Sequence, residues 1–244
     1  MAKSIDSRSC VDRVFQRQTH LIRMADQTTN TIVFDAVGTL IRPVERISQV
    51  YHRHAVSFGC RLDVAEVKRR FKSARQRLFT NDPHQVCTDE SEKLLWSQLV
   101  KLVFHELPDP EPLFQQLWQY YAMPDHWVTF PEVDQVLEDL WQADAEIVIA
   151  SNFDTRLLGI CGRLPPLDRI QHIFCSGSVG FRKPDLRFYK SIETSLNDRS
   201  PGKQRQLVMV GDDFEKDVLA ARAAGWTAIH INRPTNDLTA TSLE

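Results

Sequence analysis

The sequence predicts an α/β protein: an open parallel sheet carrying helices on both faces, with an all-helical domain inserted into it. Short apolar runs rich in β-branched residues recur along the chain, and they are continuous rather than alternating. Helical patterns separate most of these runs, and one stretch, residues 44–130, is helical throughout. A strand that is apolar on both sides is a strand covered on both faces. Strand and helix in alternation, in turn, read as a parallel sheet.

In chain order, residues 1–30 come first and look unlike the rest. Lys3, Arg8, Arg13, Arg17 and Arg23 are interleaved with Asp6, Asp12 and Asp26, with no continuous apolar core. The segment lacks the apolar run of a secretory signal. It is expected to be a disordered polar extension, with a short amphipathic helix over Val11–Ile22 as the competing reading. Strands are expected at Thr31–Asp35, Glu146–Ala150, Leu207–Gly211 and Thr227–Ile231, with a weaker one at His172–Cys175. Val133, Val136, Leu137, Leu140 and Trp141 recur at i, i+3, i+4, i+7 and i+8, which is one face of a helix. Leu186–Leu196 and Glu215–Gly225 follow the same pattern, the latter stopping at a glycine. Between the first two strands, helical spacing continues through Val50–Phe58, Val64–Leu78, Leu94–Val103 and Leu113–Tyr121. That length is too great for a single crossover. The expected division is therefore a core of residues 31–43 and 131–244, with residues 44–130 forming a helical cap.

Composition narrows the function. A net charge of −2 lacks the basic excess of nucleic-acid binders. No run approaches the roughly 18–20 apolar residues needed to cross a bilayer. The five cysteines (Cys10, Cys60, Cys87, Cys161 and Cys175) are scattered, with no CxxC pair. Free thiols in a reducing compartment fit this better than disulfides or zinc, so a cytoplasmic location is expected. The sequence does not define an oligomeric state.

Polar residues stand at the carboxyl end of each expected strand. Asp35 follows the first, Ser151 and Asn152 the second, Asp212 and Asp213 the fourth, with Asp217 a turn later; Lys183 lies in a loop before the fourth. Parallel strands bring their carboxyl ends to one edge, where open α/β folds bind ligands. Taken singly, each residue has a plain role: Asp35 a strand-end cap, Ser151 a turn former, Lys183 a solvated lysine, Asp212 and Asp217 acids at a helix N-terminus. Together they suit phosphoryl transfer. Asp35 would attack, Ser151 and Lys183 would hold phosphoryl oxygens, and Mg²⁺, favoured by oxygen-only ligands, would shield charge.

These residues carry a family resemblance. Asp35-x-x-Gly38-Thr39, Ser151-Asn152, Lys183-Pro184-Asp185 and Gly211-Asp212-Asp213-x-x-x-Asp217 resemble the four motifs of the haloacid dehalogenase (HAD) superfamily. The resemblance spans about Ile32–Ile231. It implies a Rossmann-like, HAD-like core of five strands ordered 5-4-1-2-3, with the cap between motifs one and two. It also implies catalytic roles for Asp35, Ser151, Asn152 and Lys183. The metal site it implies consists of Asp35, the backbone carbonyl of Val37, and Asp212, supported by Asp213 or Asp217. Val37 departs from the pattern, because family phosphatases carry there an aspartate that protonates the leaving alkoxide. Its loss removes a contribution of roughly 10²–10⁴-fold. Phosphonate hydrolases, ion-pumping ATPases and haloacid dehalogenases manage without it. The expected activity is thus a Mg²⁺-dependent phosphatase acting on a small phosphorylated metabolite. A 2-haloacid dehalogenase and a catalytically weak binding protein are the alternatives. A phosphonate hydrolase would need a Schiff-base lysine from the cap, where Lys68, Lys72, Lys93 and Lys101 are available.

Overall fold

The computed structural model describes residues 29–79, 86–202 and 204–232. Of the expected extension over residues 1–30 only Thr29 and Asn30 are described, and they belong to the first strand, while its alternative helix over Val11–Ile22 lies outside the described residues. The first strand, β1 (Thr29–Phe34), leads into the turn at Asp35, and β2 (Ile41–Pro43) follows. Four helices come next: α1 (Ile47–Val56), α2 (Val64–Leu78), α3 (Asp89–Val103) and α4 (Glu111–Tyr120). The chain returns through β3 (Trp127–Thr129), and α5 (Val133–Gln142) runs into β4 (Glu146–Ser151). Then come α6 (Arg156–Cys161), β5 (His172–Cys175), a single turn α7 (Ser176–Val179) and α8 (Leu186–Arg199). The strand β6 (Arg205–Gly211), a π-helical turn at Phe214–Leu219, α9 (Ala220–Ala223) and β7 (Thr227–His230) complete the described chain.

β1, β4, β5, β6 and β7 form one sheet in the order β5-β4-β1-β6-β7, parallel throughout. Counting only these core strands along the chain gives 3-2-1-4-5, the implied order read from the other edge. The lack of alternation in the strand sequences has its cause in the packing. Ile32 and Phe34 of β1 point into one cluster with Leu137 and Leu140 of α5 and Leu157 of α6. Val33, between them, points the other way, onto Phe188, Tyr189 and Ile192 of α8. Both faces bury apolar surface, so a polar residue on either would be costly, and β1 has none between Thr31 and Asp35.

Residues between β2 and β3 have an apolar cluster of their own. Val50, Tyr51, Val67, Phe71, Leu99, Val103, Leu113 and Leu117 pack together from all four helices. Local chemistry marks the helix starts. Asp63 caps α2 by accepting from Glu66 N at 2.7 Å. Thr88 and Ser91 close a reciprocal box at the start of α3. β2 and β3 pair antiparallel, Pro43 opposite Trp127, so the outgoing and returning chains run side by side. Neither three-residue strand shows a period in the sequence. The aromatic residues of this segment are turned inward: Phe104, Phe114 and Trp127 are buried, while Trp118, Tyr120 and Tyr121 are half-buried. The exposed apolar patch that a partner-binding protein would need is therefore not formed by them.

Candidate active site at the carboxyl edge of the sheet

Asp35 leaves β1 still in the ladder, its N–H donating to Val210 O at 2.9 Å. Its carboxylate is buried and directed to the sheet edge. Ser151, the last residue of β4, donates from Oγ to Asp35 Oδ1 at 3.1 Å. Lys183 comes from the loop between α7 and α8 and reaches the same oxygen with Nζ at 2.7 Å. Its ammonium also donates to Asp217 Oδ1 at 2.6 Å. Only 2% of Lys183 is exposed, so the solvated-lysine reading fails. Burial opposes its charge, but Asp217 and Asp35 outweigh burial and hold the ammonium well above the ordinary lysine range.

Asn152 stands beside these groups but serves Lys183. Its Oδ1 accepts from Lys183 N at 2.8 Å, and its Nδ2 donates to Lys183 O at 2.8 Å. The amide thus grips the lysine's own backbone and fixes where the ammonium emerges.

Asp35, Asp212 and Asp217 each offer an oxygen within 4.8 Å of the others'. Two glycines make this approach possible. A Cβ on Gly38 would sit 2.3 Å from Asp212 Oδ2, and one on Gly211 would sit 2.2 Å from Asp217 Oδ2. Gly38 also has φ = 100°, a backbone that a side chain would strain. Thr39 donates from Oγ1 to Asp212 Oδ1 at 3.4 Å. Burial, then repulsion from Asp35 and Asp217, pushes Asp212 up to about 7. Burial likewise raises Asp217 to about 6, against the opposing pull of Lys183. Three carboxylates against one ammonium leave two negative charges uncompensated when all are ionised. The acids resist ionising, the donors are all oxygen, and the two glycines clear space for them. A hard divalent cation fits this set.

Asp213 is placed differently from the other acids. Its carboxylate caps the π-helical turn, accepting from Glu215 N at 3.1 Å and Lys216 N at 3.0 Å, and pairs with Lys216 Nζ. The Lys216 bonds overcome the effect of burial and keep its pKa below the usual carboxylate value. Of the two acids that could support the metal, Asp217 is the one inside the cluster. Its Oδ2 accepts from Asp213 N at 3.0 Å, and its Oδ1 is taken by Lys183.

The site opens into a cavity of about 1060 Å³ between the sheet edge and the helices α1–α4. Val37 lines it, with its side chain also packed on the sheet core. None of the lysines Lys68, Lys72, Lys93 and Lys101 lines it, so the phosphonate-hydrolase reading lacks its lysine among the described residues.

Other groups that shape the site are not marked in the sequence. Arg182, which could pass for an exposed loop residue, pairs its buried guanidinium with Glu92 of α3. Arg156 is gripped by Asp154 at 2.7 Å and 2.8 Å, donates to Trp118 O at 2.8 Å, and stacks on the Trp118 ring 3.2 Å from its centre. These partners lie 90 and 38 residues apart in the sequence, beyond any local pattern.

The sheet order, the acid at the end of the first strand and the cluster beside it define a HAD-type α/β hydrolase. The model of the haloacid dehalogenase-like hydrolases matches residues 29–225, and this chain belongs to that family. Haloacid dehalogenase-like hydrolase domain-containing protein 3 of Danio rerio is 26% identical over 210 residues, covering 83% of this chain and 84% of its own. A Schizosaccharomyces pombe hydrolase is 25% identical over 87% of this chain and 94% of its own. The fold is also similar to that of a defluorinating L-2-haloacid dehalogenase. Identity there is 18% and the TM-score 0.63, covering 86% of this chain and 83% of that one. The HAD-hydrolase YfnB of Bacillus subtilis, bound to magnesium, is 19% identical with a TM-score of 0.60, covering 84% of this chain and 89% of its own.

Proposed function

We propose that this chain is a Mg²⁺-dependent phosphatase acting on a small phosphorylated metabolite through an aspartyl-phosphate at Asp35. In this reading residues 44–130 are the cap, and residues 31–43 with 131–244 are the core. The observation that carries it is the Asp35–Asp212–Asp217 cluster, whose surplus negative charge suits an enzyme that works with a cation. Asp35, Asp212 and the Val37 carbonyl would hold Mg²⁺, with Asp217 orienting the set. When bound, Mg²⁺ would shield the charge between carboxylate and phosphate.

The chain's own residues supply the rest. Lys183 and Ser151 both contact Asp35 Oδ1, so they fix the carboxylate's orientation and lie where phosphoryl oxygens would arrive. Asp35 attacks phosphorus, the P–O bond to the leaving group breaks, and water later cleaves the aspartyl-phosphate to phosphate and free carboxylate. Asn152 keeps Lys183 in place through its backbone. No described helix is long and apolar enough to cross a membrane. Cys60, Cys87, Cys161 and Cys175 are free thiols, which suits the cytoplasmic assignment that belongs to this reading.

Dehalogenation is the second reading, and Val37 is what favours it: halide leaves without a proton, so an apolar residue there would cost nothing. Against it stands the cost of burying Asp212 and Asp217 beside Asp35 with no cation to balance them. One assay separates the two. Acetyl phosphate and 2-chloropropionate are offered with Mg²⁺ and with EDTA, to the wild type and to Asp35→Asn. The expected result is phosphate release that needs Mg²⁺ and falls at least 10³-fold in the variant. Halide release that persists in EDTA would replace the phosphatase reading with the dehalogenase one.

A further inference from the structure

Two features of the cavity bear on what leaves from phosphorus. The first is Val37, an apolar side chain lining the cavity at the position where the family resemblance implies a proton donor. The second is the wall contributed by α1–α4. Tyr51, Phe71, Trp96, Phe114, Trp118 and Tyr121 come from all four helices and the end of α4 to line one cavity. They brace one another: Tyr51 meets Phe71 edge-on at 5.1 Å, and Phe114 meets Trp118 at 5.7 Å. Arg75 is the one charged residue that this segment adds to the described lining. The Tyr121 hydroxyl is buried and has no hydrogen-bond partner among the described residues. The half-buried Trp96, Trp118 and Tyr121 are the accessible part of this wall, with Tyr51, Phe71 and Phe114 buried behind them and Arg156 over the Trp118 ring. Such a wall suits a flat ring.

We propose that the substrate is an aryl phosphate, the phosphate monoester of a phenol, with its ring seated against this aromatic wall. The proposal rests on the phosphatase reading above and names its substrate class. A phenol ionises near pKa 10, whereas an alkanol is closer to water, about 15.7. When Asp35 attacks, the bond from phosphorus to the aryl oxygen breaks and its electron pair leaves as phenolate. Water protonates the phenolate afterwards, so no acid is needed at position 37. An alkoxide leaving from the same site would forgo a contribution of roughly 10²–10⁴-fold. The apolar residue at position 37 and the aromatic wall thus select the same kind of leaving group.

The test compares phenyl phosphate with cyclohexyl phosphate, equal in size and different in leaving group, with acetyl phosphate as the reporter of Asp35 chemistry. The expected kcat/KM for phenyl phosphate exceeds that for cyclohexyl phosphate by at least about 10²-fold. Val37→Asp should narrow the ratio by raising the cyclohexyl rate. Ring seating is read separately, as a KM for 2-naphthyl phosphate at least about tenfold below that for acetyl phosphate, or about 1.4 kcal/mol of binding. A phenyl-to-cyclohexyl ratio near one, or equal KM values, with Mg²⁺-dependent acetyl phosphate hydrolysis intact, overturns the aryl proposal and leaves the phosphatase reading standing. If none of the esters nor acetyl phosphate is hydrolysed, both fall.

Discussion

At position 211 the candidate active site depends on a missing side chain. The Asp217 carboxylate occupies the space a Cβ would take, and it is held there by Lys183 Nζ and Asp213 N. Gly211→Ala must therefore either displace Asp217 or move the end of β6. Overpacking of this kind costs about 1–3 kcal/mol. For a chain of this length that lowers the melting temperature by roughly 2–4 °C per kcal/mol. Activity should fall further than stability does, because the displaced acid lets go of Lys183. A variant with unchanged melting and unchanged turnover would show that the strand end relaxes freely. At this scale the sequence was legible in part. Asp35, Ser151, Lys183, Asp212 and Asp217 could be named because each follows a recognisable strand or motif. The clamp that Asn152 forms on the Lys183 backbone, and the turning of Asp213 toward Lys216, could not. Both depend on side-chain direction across a loop, which residue spacing does not encode.

Among the secondary-structure elements, α3 ties the helical segment to the sheet domain through its first turn. Asp89 accepts from Thr155 N at 3.0 Å and Glu92 accepts from Ser176 Oγ at 3.3 Å, while Arg182 closes on Glu92 as a buried ion pair. Removing one member of a buried pair strands the other, which typically costs about 3–5 kcal/mol. Glu92→Ala should therefore lower the urea midpoint sharply, whereas the double change Glu92→Met with Arg182→Met should recover much of the loss. A single-variant loss below about 1 kcal/mol would mean that Arg182 finds another partner. The long elements were readable because amphipathic periods survive in the sequence; α2, expected over Val64–Leu78, has those bounds in the structure. The ribbon of β2 with β3 and the six-residue α6 were not, being too short to show a period. The helical reading of Glu215–Gly225 holds in outline, but its first part is a π-helical turn, which widens the backbone just where Asp217 must fold back to β6.

For the molecule as a whole, the buried acids couple folding to pH and, on the phosphatase reading, to metal. Asp212 and Asp217 keep their protons in the folded protein up to about 7 and about 6. In the unfolded chain an aspartate loses its proton near 3.9. Between those values the folded state binds more protons, so the metal-free protein loses stability as pH rises from about 4 to about 7. A cation binds the ionised carboxylates, so its affinity should rise across the same window. Mg²⁺ at a hundred times its dissociation constant would add about 2.7 kcal/mol. At roughly 2–4 °C per kcal/mol that is a melting shift of about 5–10 °C. The expected outcome is a shift of that size at pH 8 that shrinks toward zero by pH 5, measured by thermal denaturation with and without Mg²⁺. Asp212→Asn should weaken both the shift and its pH dependence, since it removes the acid with the higher pKa. A Mg²⁺ shift equal at both pH values would separate the cation from these carboxylates. The charge surplus at the sheet edge would then need another explanation, because a buried cluster of like charges that neither protons nor metal relieve would work against the fold around it.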